Sequence, residues 1–169
     1  MVDANATVGT GHEFQTASPE ETRELARRLG TACGGGEVIL LHGDLGAGKT
    51  CFVQGLAIGL DVPPELRVTS PTFTIHAEYP GRLVLNHLDL YRLDDPVSAE
   101  RLGVGDMLAD AAAVTAIEWP EMLADGVGKR RLEIRIEDAG EGKRRFRMIA
   151  FDAGHARLLA AVAAGWAGA

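Results

Sequence analysis

A phosphate-binding pattern, Gly-x-x-x-x-Gly-Lys-Thr, spans residues 43–50, whose sequence is GDLGAGKT. Glycines allow the backbone to turn its N–H groups toward a phosphate, and a helix that starts after them adds partial positive charge. Lys49 would reach the β- and γ-phosphates of a nucleotide, and the hydroxyl of Thr50 could ligate Mg²⁺. An apolar run at 38–41 precedes the loop and a helical pattern follows it. This context favours a phosphate-binding loop over a glycine-rich turn without a ligand.

Two carboxylates are candidates to complete the site. Asp89 ends the strand-like run 83–88, and Glu118 follows the apolar run 114–117. Open α/β sheets bind ligands at the carboxyl ends of their strands, so both acids are expected beside the loop. Asp89 fits an acid that supports Mg²⁺, whereas Glu118 could hold the metal directly or polarise an attacking water. The alternative for each is a solvated acid at a strand end.

Two hydroxyls lie in the segment Ser70, Pro71 and Thr72, where a nucleotide-sensing switch would be placed. Thr72 could ligate the metal only when a γ-phosphate is present. A turn whose hydroxyls bond their own backbone explains the same residues equally well. Nearby, His87 is interpreted as a packed or hydrogen-bonded structural residue rather than a general base. Cys51 is interpreted as a small buried apolar residue rather than a redox switch.

The elements around these motifs predict an α/β fold with a P-loop NTPase-like, mostly parallel central sheet, antiparallel hairpin additions and flanking helices. Ser18, Pro19 and Glu21 begin the first helix with a capping box. Further helices are predicted at 49–60 and 155–166, with helical turns at 95–112. Strands are predicted at 38–41, 73–79, 82–90, 114–117, 132–136 and 146–150. Residues 1–11 are expected to form a flexible tail, and residues 12–169 one domain.

Composition restricts the class of protein. The 169 residues carry a formal net charge of −7 with 46% hydrophobic residues, as expected of one soluble domain. Two cysteines without metal-binding spacing argue against a disulfide framework and against zinc. The chain has no signal-peptide pattern and no apolar run of about 20 residues. We therefore expect a cytoplasmic protein that has no membrane partner.

Four motifs stand in a fixed order: GDLGAGKT at 43–50, SPTF at 70–73, HLDLYRL at 87–93 and IEWPE at 117–121. Together they resemble the bacterial tRNA threonylcarbamoyladenosine biosynthesis ATPase family, called TsaE and earlier YjeE. The resemblance covers roughly residues 13–152. The loop alone is generic, but the other three motifs together are specific.

The resemblance implies an ATPase of low intrinsic activity that uses ATP or ADP and Mg²⁺. Its partners would be the TsaB–TsaD heterodimer, which installs the threonylcarbamoyl group on N6 of adenosine 37 in tRNAs that decode ANN codons. The ATPase would activate or reset that complex rather than form the bond itself.

The same resemblance implies roles for individual residues. Lys49, Asp89 and Glu118 would be catalytic, and Thr50 with the two acids would bind the metal. The residues 70–72 would form a switch-like loop. The nucleotide would be bound by Asp44, Leu45, Gly46, Ala47, Gly48, Lys49, Thr50, Cys51 and Trp119.

Two other functions stay open. A nucleotide-gated adaptor would barely hydrolyse ATP, and Glu118 would then be structural. A small-molecule kinase is the other alternative, although no Arg-rich insert that could form its lid occurs between Arg101 and Lys129. A GTPase is disfavoured, because the chain has no Asn-Lys-x-Asp motif. We expect Lys49→Ala to remove nucleotide-dependent activity and leave the fold intact, because the loop is expected to be exposed.

A basic hairpin is predicted at 129–147, which has eight Lys or Arg residues and four acids in an otherwise acidic chain. Its arginines alternate with apolar residues, so their charges share one face. One interpretation is a solvated edge hairpin whose charge prevents aggregation. The other is contact with tRNA phosphates or an acidic partner, which salt would weaken steeply.

Overall fold

The computed structural model describes residues 9–167, which form a seven-stranded mixed sheet with helices on both faces. The strands are β1 (Thr10–Thr16), β2 (Val38–His42), β3 (His76–Tyr79), β4 (Val84–Asp89), β5 (Ala113–Glu118), β6 (Leu132–Asp138) and β7 (Arg144–Ala150). The helices are α1 (Pro19–Ala32), α2 (Lys49–Gly59), α3 (Pro96–Arg101), α4 (Val104–Ala109) and α5 (Ala153–Gly165), and a 3₁₀ helix covers Pro120–Val127. None of the helices in this part of the chain is long and apolar enough to cross a membrane.

The strands lie in the order β1-β7-β6-β2-β5-β4-β3. The four central strands, β6, β2, β5 and β4, are parallel to one another. Antiparallel strands extend both edges, because β7 and β1 continue from β6 and β3 pairs with β4. The predicted α/β fold, with a parallel centre and antiparallel additions, is therefore confirmed.

The central strands divide their side chains between two apolar cores, one on each face of the sheet. In β2, Ile39 and Leu41 belong to the larger core, which includes residues of α1, α2 and α5. Val38 and Leu40 belong to the smaller core, which includes residues of α3, α4 and the 3₁₀ helix. Burial on both faces explains why β2 is a continuous apolar run.

The helices α1 and α2 touch through their backbones. A β-carbon added to Gly55 would lie 2.2 Å from the carbonyl oxygen of Arg23, and one added to Gly59 would lie 2.2 Å from that of Arg27. Neither distance can accommodate a side chain, so glycine is required at both positions. The close contact fixes α2, the helix that begins at Lys49.

The start of the chain differs from the prediction. Thr10 and Gly11, assigned to the flexible tail, pair with Ala150 and Ile149 as the beginning of β1. The sequence predicts no strand here, because β1 contains a single large apolar residue, Phe14. Residues 1–8 of the predicted tail lie outside the described residues.

The strand predicted at 73–79 is shorter in the structure. Ile75 has a φ of 66°, in the left-handed region, and its N–H donates to the carbonyl of Pro71. The residues before His76 therefore form a turn, and β3 begins only after it. The antiparallel pairing of β3 with β4 is confirmed.

Candidate functional site

The glycine-rich loop, residues 43–48, connects the carboxyl end of β2 to α2. Gly46 and Gly48 have φ values of 78° and 110°, which favour glycine, and a β-carbon on either would meet nothing within 4 Å. Gly43 instead lies against β6, where an added β-carbon would be 2.7 Å from the carbonyl oxygen of Ile136. The loop is thus supported on one side and open at Gly46 and Gly48, as backbone binding of a phosphate requires.

Lys49 is buried within this loop, with only 5% of its surface exposed. Its Nζ donates to the carbonyl oxygens of Gly43 and Asp44, the latter at 2.9 Å, and lies 3.8 Å from the centre of the Trp119 ring. Burial lowers the pKa of Lys49, and the nearby carboxylate of Glu118 partly opposes that shift. The expectation of an exposed lysine is wrong, because the loop folds around its ammonium group.

Glu118 ends β5, the strand next to β2, and is buried. Its Oε1 accepts hydrogen bonds from the hydroxyl of Thr50 at 2.9 Å and from Nε2 of His87 at 2.8 Å. A solvated acid at a strand end is therefore the wrong interpretation of Glu118. The interpretation of His87 as a buried, hydrogen-bonded residue is confirmed, and the acid it contacts is Glu118.

Asp89 ends β4, one strand further from the loop, and is also buried rather than solvated. Its Oδ2 accepts from the hydroxyls of Ser70 at 2.5 Å and Thr72 at 3.4 Å. Its Oδ1 accepts from the N–H of Tyr91. The two hydroxyls of the 70–72 segment therefore bind an acid of the site, and Asp89 connects this segment to the sheet.

A cavity of about 350 Å³ joins these groups. Its walls include Leu45, Gly46, Gly48, Lys49, Thr50, Cys51, Ser70, Thr72, Asp89, Glu118 and Trp119. Asp44 and Ala47 line a second cavity of about 730 Å³, and Leu45, Gly46 and Trp119 border both. The structure thus brings together the predicted loop residues, both acids and the two hydroxyls; Pro71 belongs to the same segment but not to either wall.

The side chains around the smaller cavity fit Mg²⁺ bound to a nucleotide. The hydroxyl of Thr50 and the carboxylates of Asp89 and Glu118 are the oxygen ligands that Mg²⁺ prefers. Within the described part of the chain, no group of three or more His, Cys, Asp or Glu side chains could hold a metal by itself. Mg²⁺ is usually held by one or two carboxylates together with substrate phosphates, and the two acids of the cavity fit that kind of site.

Trp119 forms one wall of the cavity from a strained position. Its φ of 57° lies in the left-handed region, and the 3₁₀ helix begins immediately after it at Pro120. The ring packs against Tyr91, with centroids 4.9 Å apart, and covers Nζ of Lys49. Backbone strain of this kind is often found at functional sites.

Two other side chains contact the loop region. Cys51 is half-buried rather than fully buried, and its Sγ lies 3.5 Å from the carbonyl oxygen of Pro19. Burial raises the pKa of its thiol.

Arg144 of β7 contacts the glycine-rich loop, because its Nε donates to the carbonyl oxygen of Ala47 at 3.1 Å. The sequence reasoning missed this contact, because 97 residues separate its partners and no local pattern connects them.

The basic hairpin is extensively ion-paired and does not form the edge of the sheet. Arg145 and Arg147 contact both Glu13 of β1 and Glu137 of β6. The interpretation as an edge hairpin is wrong, because β1 covers β7. Glu13 was missed as a partner because β1 itself was not predicted. Contact with tRNA through residues 129–147 stays a prediction. The ion pairs with Glu13 and Glu137 leave the hairpin with less unpaired positive charge for such a contact.

A family model described as Threonylcarbamoyl adenosine biosynthesis protein TsaE matches residues 16–146. The chain belongs to the TsaE family. The tRNA threonylcarbamoyladenosine biosynthesis protein TsaE of Bacillus subtilis is 40% identical over 133 residues, which cover 78% of this chain and 81% of that protein. The TsaE protein of Aquifex aeolicus is 42% identical over 134 residues, or 78% of this chain and 90% of that protein.

A solved structure supports the same assignment. The crystal structure of YdiB from Bacillus subtilis superposes with a TM-score of 0.77 at 31% identity, covering 93% of this chain and 97% of that one. The resemblance expected from the four motifs is confirmed. The family model and these relatives are named for the biosynthesis of threonylcarbamoyladenosine, a modification of tRNA.

Proposed function

We propose that this TsaE family protein is an ATPase that binds Mg²⁺-ATP in the smaller cavity and acts on the TsaB–TsaD heterodimer. The modification it supports would be that of adenosine 37 in ANN-decoding tRNAs. One observation carries the ATPase proposal: Lys49, Thr50, Asp89 and Glu118 line a single cavity at the glycine-rich loop.

The loop and Lys49 would bind the phosphates. The open backbone at Gly46 and Gly48 offers N–H groups at the start of α2. Lys49 would exchange its two carbonyl partners for the phosphate oxygens, and its ammonium group already lies inside the loop. The aromatic face of Trp119 supports that ammonium group by a cation–π contact.

The acids would divide the remaining work. Glu118 accepts from Thr50, so it is placed to orient the hydroxyl that would ligate the metal. Asp89 connects that metal site to Ser70 and Thr72, whose hydroxyls would respond to a γ-phosphate. Mg²⁺, when bound, would neutralise the charge that develops on the transferred phosphoryl group.

A nucleotide-gated adaptor is the second candidate. It is favoured by the two donors already bound to Oε1 of Glu118, because a structural acid would have the same contacts. Glu118→Ala separates the two functions: an ATPase would lose TsaB–TsaD-dependent turnover, whereas an adaptor would keep its partner-dependent response.

Lys49→Ala tests the ATPase proposal. We expect TsaB–TsaD-stimulated ATP hydrolysis to fall by roughly 10²- to 10³-fold, because a charge-stabilising donor is lost at the reacting phosphates. The threonylcarbamoyladenosine content of tRNA should fall in cells that carry only this variant. Arg101→Ala is the matched control, because it also removes one positive charge and Arg101 is exposed on α3, outside the lining of both cavities. Normal modification in Lys49→Ala cells, with the protein folded and expressed, would refute the proposal.

A further inference from the structure

His87 is a fully buried histidine, and the proposed function gives it no role. It lies on β4, where its neighbours in register are Ala77 of β3 and Ala116 of β5. Its Nε2 lies 2.8 Å from Oε1 of Glu118, and its Nδ1 is buried without a hydrogen-bond partner among the described residues. The contact with Glu118 is thus the one hydrogen bond described for this ring.

The role of Nε2 as a donor follows from these contacts. Oε1 of Glu118 accepts from the Thr50 hydroxyl as well, so it is an acceptor in both contacts. Nε2 is therefore assigned the N–H that is donated to Glu118, whereas Nδ1 is a buried ring nitrogen without a described partner. Burying a polar atom without a partner costs free energy, which an apolar residue at this position would avoid.

We propose that His87 is a positioning residue that holds the carboxylate of Glu118 against Thr50 for binding of Mg²⁺-nucleotide; this rests on the proposed function. Two donors converge on a single oxygen, one from β4 and one from the first turn of α2. A glutamate side chain has several rotatable bonds, and its freedom is lost when it must adopt one orientation. His87 restricts that freedom in the folded protein, before any nucleotide arrives.

The alternative is that His87 only fills the strand interior. Space filling would be satisfied equally by an apolar side chain, whereas positioning requires an N–H at the place of Nε2. Hydrogen bonds that orient metal-binding carboxylates typically contribute about 10- to 100-fold to metal affinity or activity. The two roles therefore differ in the response of the protein to Mg²⁺.

The experiment compares three substitutions in the full chain. His87→Leu removes the donor, His87→Asn keeps a polar side chain that stops short of Glu118, and His87→Gln replaces the donor at a similar reach. Asn86→Leu is the control, because Asn86 is buried on the same strand but bonds His76 instead. Circular dichroism and urea unfolding establish which variants are folded.

The main measurement is ADP binding in EDTA and across a Mg²⁺ titration. We expect the folded Leu and Asn variants to bind ADP as the wild type does in EDTA, but to need about 10- to 100-fold more Mg²⁺ for half-maximal tightening. His87→Gln should keep most of the response and Asn86→Leu all of it. In steady-state ATP hydrolysis at limiting Mg²⁺, the KM of the loss variants should rise more than their kcat falls, and excess Mg²⁺ should restore most of the activity.

Coupling to Glu118 gives a second readout. In a Glu118→Gln background, His87→Leu should produce little additional loss, because the two residues act through one contact. A wild-type Mg²⁺ response in a folded Leu or Asn variant would overturn the assignment of His87, as would a Gln variant as defective as Leu. A wild-type protein that binds neither ADP nor ATP, with or without Mg²⁺, would overturn the proposed function itself, and the assignment with it.

Discussion

Gly55→Ala tests whether the contact between α1 and α2 restrains the helix that carries Lys49 and Thr50. Alanine has about 1 kcal/mol more helix propensity than glycine, so an unrestrained helix would be stabilised. Here the added β-carbon would lie 2.2 Å from the carbonyl oxygen of Arg23 and 2.6 Å from its Cα. Both atoms belong to the backbone of α1, so no side-chain rotation can relieve the overlap.

The expected cost follows from these distances. A carbon–oxygen contact of about 3.3 Å requires the helices to separate by about 1 Å. Overpacking costs about 1–3 kcal/mol even where side chains can adjust, and a rigid displacement belongs at the upper end of that range. After subtracting the helix propensity gain of about 1 kcal/mol, we expect a net loss of about 2 kcal/mol in the free energy of unfolding.

Urea denaturation measures this loss, and thermal unfolding should show a Tm about 4–8 °C lower. Gly105→Ala in α4 is the control, because a β-carbon there would meet nothing within 4 Å. That variant should gain about 0.5–1 kcal/mol. If Gly55→Ala matches or exceeds the wild type in stability while Gly105→Ala gains as expected, the helix contact does not restrain α2 and the reasoning is refuted.

Two further predictions concern acid stability and a spectroscopic signal. A hydrogen bond from Arg27 holds the pKa of Glu24 at about 2, against an ordinary value of 4.5. The stabilisation is therefore present above about pH 4.5 and lost as the pH falls toward 2; because these side chains are more than a third exposed, we expect at most about 1 kcal/mol. The stability difference between wild type and Glu24→Gln in urea should disappear near pH 2, and a difference independent of pH would contradict the assignment. Nucleotide binding should change the tryptophan fluorescence through Trp119, so the change should be absent in Trp119→Phe and present in Trp166→Phe; the opposite pattern would place the nucleotide elsewhere.

The parts of the fold that sequence predicted correctly are those with strong local signals. The apolar run at 38–41 predicted a strand buried on both faces, and the structure has β2 there. Ser18 caps α1, as its position before Pro19 predicted. The missed strand β1 has only Phe14 as a large apolar residue and is stabilised by β7, far away in the chain. The left-handed conformation of Ile75 could not be predicted from the sequence either, because β-branched residues disfavour that region.

The candidate site shows the same division between local and long-range information. Glycine spacing identified the loop, and strand ends identified both acids. Their pairing depends on strand order: β5 lies next to β2, so Glu118 meets Thr50, whereas Asp89 on β4 meets the 70–72 segment. Strand order is set by tertiary packing rather than by any local pattern, which is why the division of contacts could not be predicted.

The pairing of β1 with β7 also determines when the sheet can be completed during synthesis. Their contact joins residues that are distant in the chain, such as Glu13 and Arg147, which lie 134 positions apart. The first strand to leave the ribosome must therefore wait for one of the last, while the parallel strands β2, β4 and β5 can already associate around α1 and α2. Because β1 has only one large apolar residue, it exposes little apolar surface before β7 is synthesised. The unpaired strand is therefore less prone to aggregate with other chains.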